Sequence, residues 1–187
     1  MRFLLFICLL LLPVKGFAHP HVWADTQLEL LVEGRQITGL RVRWVFDELY
    51  SASFLVEADS NQNKELDILE AAQVVKEVFE EGQRDLYSFM LVKSAQEERA
   101  FTLENARIWM EDELLHYVFD IVLEVPVPLS GQHKFATYDP SFYVAFEQDL
   151  EMKLPADVQC EQKLAGDASI SIYMGLVNPE TYTLSCL

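Results

Sequence analysis

The chain has 187 residues, 51% of them hydrophobic, with 14 Lys and Arg against 30 Asp and Glu and a formal net charge of -16. That apolar content excludes disorder throughout, because such a chain buries enough surface to offset the entropy of ordering. The acidic balance excludes binding to nucleic acid, whose phosphates need clustered Lys and Arg, and favours metal cations and cationic surfaces.

Arg2, an unbroken apolar run over 3–12 and the small residues Gly16 and Ala18 read as a secretory signal peptide at 1–18. The run is shorter than the roughly 20 apolar residues that span a bilayer. No later stretch is long and apolar enough to cross, so stable membrane insertion after cleavage is not expected. Cleavage after Ala18 would deliver a periplasmic chain with His19 as its new amino terminus. Removing Arg2 and Lys15 leaves 12 basic and 30 acidic residues, a formal charge of -18.

Two strand patterns follow, at 22–32 and 37–46, joined through Glu33 and Gly34. Leu40, Val42, Trp44 and Phe46 alternate with Arg41 and Arg43, the period of a strand with one buried face. The period then changes. Phe46, Tyr50 and Phe54 recur every four residues behind Asp47, a good helix cap, so 47–57 is predicted helical. After a polar loop from Asp59, the spacing of Ile68, Ala72, Val75 and Phe79 predicts a second amphipathic helix ending near Gly82.

Further strands are predicted at 87–92, 107–111, 114–125, 134–138, 143–147 and 170–174. In the longest, Tyr117, Phe119, Ile121, Leu123 and Val125 share one face, and His116, Asp120 and Glu124 lie on the other with Val118 and Val122. Pro126, Pro128 and Gly131 are expected to break it, with His133 starting the return. Trp23, Trp44 and Trp109 are expected in the core. The predicted class is α+β: one β-rich domain over 19–187, mainly an antiparallel sheet or sandwich, with an inserted EF-hand-like helix-loop-helix at about 47–82.

Beyond the signal only Cys160 and Cys186 remain, an even number suited to an oxidising compartment. A disulfide between them would tie the last strand to the preceding segment and contribute roughly 3 kcal/mol; free thiols or a metal pair are the alternatives. Neither has the Cys-x-x-Cys spacing or basic neighbour of a reactive thiol.

Asp59-Ser-Asn61-Gln-Asn63-Lys64-Glu65-Leu66-Asp67-Ile-Leu-Glu70 fits the twelve-residue calcium loop. Calcium takes six to eight hard oxygen donors. Asp59, Asn61, Asn63 and Glu70 supply side-chain oxygens, Glu65 a carbonyl, and Asp67 a contact through water. Lys64 stands where such loops normally turn through glycine, at a cost of about 1 kcal/mol in backbone strain. The alternative is a loop that keeps this shape through Asn and Asp hydrogen bonds without metal.

The second constellation is His19-Pro20-His21. A free amino group with its own imidazole chelates nickel, cobalt, copper or zinc through two nitrogens, and His21 is near enough to add a third. Pro20 lacks the amide that the usual square-planar terminal site deprotonates. The remaining donors would have to come from His116, His133, Asp47 or Asp139. The alternative is an unstructured terminus whose histidines meet water. Asp139-Pro140 also reads as a simple turn.

These motifs in order, His-Pro-His-Val-Trp23, Trp44-Val-Phe46-Asp47-Glu48, the calcium-like loop, and Tyr138-Asp139-Pro140-Ser-Phe-Tyr143-Val144, resemble the bacterial exported proteins of domain-of-unknown-function family 1007. The resemblance reaches to about Glu147. Members of that family are often described as periplasmic components of transport systems, some encoded with nickel and cobalt type exporters. The resemblance therefore implies a metal-handling partner of a membrane transporter and supplies no catalytic residue. No catalytic triad order, nucleophile motif or catalytic zinc spacing is visible, so no enzyme is expected.

Overall fold

The computed structural model describes residues 20–82 and 86–187. The expected signal segment and His19 lie outside the described residues. Strands β1 (Val22–Glu33) and β2 (Gln36–Phe46) form the predicted hairpin, and helices α1 (Glu48–Ala58) and α2 (Ile68–Val75) follow, α2 running on into a wider π-helical turn at Lys76–Glu81. Eight more strands complete the fold: β3 (Met90–Ser94), β4 (Glu97–Glu98), β5 (Phe101–Glu111), β6 (Leu114–Pro128), β7 (Gly131–Thr137), β8 (Val144–Gln148), β9 (Cys160–Gly166) and β10 (Glu180–Cys186).

They make two five-stranded sheets, ordered β5-β6-β2-β1-β8 and β4-β3-β7-β10-β9. Neighbours are antiparallel except β1 and β8, which run parallel with Val22 opposite Val144. One apolar cluster draws on both sheets: Leu28, Val42, Trp44 and Phe119 from the first, Phe135, Tyr182 and Leu184 from the second. Trp44 packs 4.9 Å from the Phe119 ring and 4.8 Å from that of Phe146. The chain is thus mostly β with two helices, an α+β protein. None of the described helices is long and apolar enough to cross a membrane.

Ser51 explains how α1 is fixed. It is fully buried, donates to the Phe46 carbonyl at 3.2 Å and accepts from the Leu115 N–H at 2.9 Å, which pins the helix to β6. At the second sheet, Cys160 and Cys186 face one another across β9 and β10 and are disulfide-bonded, closing a separation of 26 residues.

Several expectations need correction. Residues 170–174 are not a strand: the Asp167 carboxylate accepts from the Ser169 N–H and hydroxyl, Ile172 makes one isolated bridge to Val177, and Tyr173–Gly175 is a short 3-10 turn. Trp23 is 46% exposed, on the outer side of β1, whereas Trp44 is core.

Val125 is 71% exposed, because β6 bulges opposite β2: Gly39 pairs with Val122, yet Ile37 pairs with Val127. The bulge turns Val125 outward and returns Val127 to the core. Gly39 is required there, since a Cβ at that position would lie 2.0 Å from the Ile121 carbonyl oxygen. The prolines do not break β6, which continues to Pro128; past Leu123 it has lost β5 as a partner, and a strand paired on one side tolerates proline.

Candidate functional site

Three of the motifs meet at one end of the first sheet. His21 is exposed immediately before β1, and its N–H donates to the Tyr143 carbonyl at 2.9 Å. Its ring lies 5.1 Å from that of Tyr143. Two residues on, the Trp23 N–H donates to Asp47 Oδ2 at 2.8 Å, and the Asp47 N–H returns a bond to the Trp23 carbonyl at 2.9 Å. Asp47 Oδ1 accepts from the Tyr50 N–H at 3.0 Å, the expected helix cap. One carboxylate therefore holds both the start of α1 and the start of β1.

Asp139 does the same for β8. It is 4% exposed. Oδ1 accepts from the Ser141 N–H and hydroxyl, both at 2.7 Å, and Oδ2 from the Tyr143 and Val144 N–H groups, both at 2.9 Å. Four donors occupy its lone pairs, and the turn they shape presents the Tyr143 carbonyl to His21.

The other two histidines sit elsewhere. His116, on β6, accepts at Nδ1 from Arg43 Nη2 at 3.1 Å, stacks on Trp109 at 5.1 Å, and has Nε2 3.9 Å from Glu111. Burial, then the Arg43 guanidinium, pushes its pKa below the usual imidazole value. His133, on β7, is 2% exposed and donates from Nε2 to the Leu129 carbonyl at 3.0 Å. Burial lowers its pKa as well. Its Nδ1 is buried with no hydrogen-bond partner among the described residues. The structure brings His21, Asp47 and Asp139 to one end of the molecule and leaves His116 and His133 on other strands. No group of three or more His, Cys, Asp or Glu close enough to hold a metal ion occurs among the described residues.

The loop between α1 and α2 is built on its own acceptors. Asp59 accepts from the Asn63 and Lys64 N–H groups at 3.0 and 2.7 Å, Asn61 Oδ1 from Asn63 at 3.0 Å, and Asn63 Oδ1 from Glu65 at 2.8 Å. Lys64 has φ 68°, the left-handed conformation a glycine would supply, and Gln62 has φ 61°. Glu70 is 6% exposed: Oε1 accepts from the Ser60 N–H and hydroxyl and the Asn61 N–H, and Oε2 from the Asp67 N–H. Asp67 in turn caps α2 by accepting from Leu69 and Glu70, which closes a capping box. The Asn61 amide donates to Asp67 Oδ2 at 2.9 Å. The donor set is hard oxygen throughout and suits calcium by type. Glu70 would have to exchange backbone donors for the ion.

Sequence reading missed one polar network. Arg41 grips Asp120 through Nε at 2.8 Å and Nη2 at 3.1 Å, and Asn105 adds a bond at 2.9 Å. Burial alone would raise the Asp120 carboxyl, but these bonds, with the charges of Arg41 and Arg107, hold it below its usual value. The available signal was the pairing of Arg41 and Asp120, both on wet faces of strands expected in one sheet.

Fold and site define an α+β protein of two sheets, with a pair of helices carried between β2 and β3 and a set of sequence motifs gathered where β1, α1 and β8 begin. The chain belongs to the family described as "Protein of unknown function (DUF1007)", whose model matches residues 4–171. It is also similar to an uncharacterized protein of Haemophilus influenzae, 27% identical over 131 residues, which are 68% of this chain and 62% of that protein's length.

Proposed function

We propose that this is an exported, periplasmic metal-binding accessory protein that captures a divalent transition metal, nickel, cobalt, zinc or copper, or presents it to a membrane transporter. His19 and His21 are the principal ligands. The observation that carries this reading is the chemistry around His21: its backbone is held by Tyr143, its ring is at the surface, and the nearby carboxylates of Asp47 and Asp139 are spent on N–H donors. Asp47 and Asp139 thus act as positioning residues. The metal is held by the His-Pro-His segment itself, with coordination positions left over for the transporter to fill. The acidic surface concentrates cations and steers encounter with a basic partner. No reaction is required.

Titration of the processed chain with nickel, cobalt, zinc and copper tests this. A defined stoichiometry is expected, and it disappears when His19 and His21 are both alanine. Undiminished binding in that variant rules the reading out.

A second reading is favoured by one observation, the left-handed φ of 68° at Lys64 in the sixth position of the loop. An EF-hand-like loop would need that conformation at this position, which supports an interaction module in which calcium at Asp59, Asn61, Asn63, Glu65, Asp67 and Glu70 fixes the helix pair for a partner. Calcium should then raise the melting temperature and Glu70→Gln should abolish the rise. A melting temperature unmoved by millimolar calcium excludes it.

A further inference from the structure

A groove of about 940 Å³ opens between α1, the loop before α2 and the β5–β6 turn. Its floor is apolar. Leu49, Ala52 and Leu55 follow one another at a spacing of three along α1, and Leu66 and Met110 close the other side. Leu49 is 75% exposed, a leucine left in water at the edge of a concave surface. The rim is acidic: Glu48, Glu65, Glu111, Asp112 and Glu113 surround the floor, against the ammonium of Lys64. Glu111 lies 3.8 Å from Arg43, while the other four carboxylates enter no ion pair among the described residues. Asp112 and Glu113 form the β5–β6 hairpin turn with φ of 51° and 66°, so two of the charges stand on a tight connection between long strands.

We propose that this groove docks a cationic amphipathic segment of a protein partner, its apolar side chains on Leu49, Ala52, Leu55, Leu66 and Met110 and its Lys or Arg side chains against the rim. Charge complementarity selects this occupant. A second copy of a chain with formal charge -16 would bring like charge to the same rim, whereas a basic helix gains both steering and rim contacts while burying the floor. The four carboxylates free of ion pairs are available to such a segment at little cost in existing contacts. The surface is separate from the His-Pro-His segment and requires no transition metal, so its failure and that of the metal-presenting reading are distinguishable. It is likewise independent of the calcium reading: Lys64, Glu65 and Leu66 belong to both loop and groove, but docking on this surface requires no bound ion.

Fluorescence anisotropy with a labelled amphipathic Leu/Lys peptide of about 18 residues, in buffer containing a chelator, tests the proposal. Saturable one-to-one binding is expected, with no binding of the matching Leu/Glu peptide. Asp112→Asn with Glu113→Gln should weaken it about tenfold, and Leu49→Ser about fivefold. Asp157→Asn with Glu161→Gln, which removes the same charge away from the groove, should leave it unchanged. The proposal is overturned if that control pair costs as much as the rim pair, if the acidic peptide binds equally, or if nothing saturates. Self-association in sedimentation that is lost in Leu49→Ser would assign the face to a second copy and overturn it as well.

Discussion

Two acidic regions of this molecule use the same chemistry to different ends. Where β1, α1 and β8 begin, Asp47 accepts from the N–H of Trp23, 24 residues earlier, as well as from that of Tyr50, and the buried Asp139 shapes a turn whose Tyr143 carbonyl accepts from the distant His21 N–H. In the loop between the helices, Asp59, Asn61 and Asn63 accept only from residues two to five positions ahead, and most of that loop is exposed. The first region builds tertiary structure. The second builds a local shape whose one buried member, Glu70, holds the loop closed. A carboxylate in a motif is therefore a ligand candidate only to the extent that its lone pairs are not already claimed by the backbone.

That contrast can be broken by mutation. Asp139→Ala removes a buried carboxylate that accepts four hydrogen bonds and is expected to cost about 3 to 4 kcal/mol in urea unfolding; a loss under about 1 kcal/mol would mean that the turn holds itself. Glu70→Ala, also buried but closing a loop between two helices rather than a turn that meets β1 and leads into β8, is expected to cost about 2 kcal/mol, and a loss as large as that of Asp139→Ala would erase the distinction. The smallest effect is in acid. His116 and His133 bind protons less readily folded than unfolded, because burial, and then Arg43 and Arg99 respectively, disfavour the charged ring. The unfolded chain therefore takes up more protons below about pH 6.5, and stability present above that value is lost as the pH falls toward the folded pKa values. The melting temperature should drop between pH 7.5 and 5.5, and less so in His116→Gln. An equal drop in that variant would remove His116 from the account.

Much of the first sheet was legible because its strands alternate cleanly. Leu40, Val42, Trp44 and Phe46 are all buried, as the period requires. Asp47 was legible as a cap because capping is a local property. Illegible features depend on irregularity or distance. Asn105, at φ 54°, sits within the register shift between Glu104 and Arg107, so alternation over 101–111 is interrupted and only the half from Arg107 reads as strand.

Ile170, Ile172 and Met174 alternate like a strand, but Asp167, bonded to Lys134 at 2.7 Å, ties the segment into turns. β9 was missed because Gln162, Lys163 and Gly166 give it little apolar pattern; its pairing with β10 follows from the strand register and the disulfide. At the candidate site, His21, Asp47 and Asp139 were named from sequence, yet their meeting rests on the parallel pairing of β1 with β8, which no local pattern encodes.

That pairing also orders events during folding. β1 can join β2 as soon as the hairpin forms, but its other neighbour, β8, begins at Val144, opposite Val22. Until some 120 intervening residues have emerged and folded, one side of β1 offers a bare row of donors and acceptors. Closing so long a loop is slow compared with forming a hairpin. The half-finished sheet is thus the stage at which the chain is most prone to pair with another copy, and the stage a chaperone would need to cover.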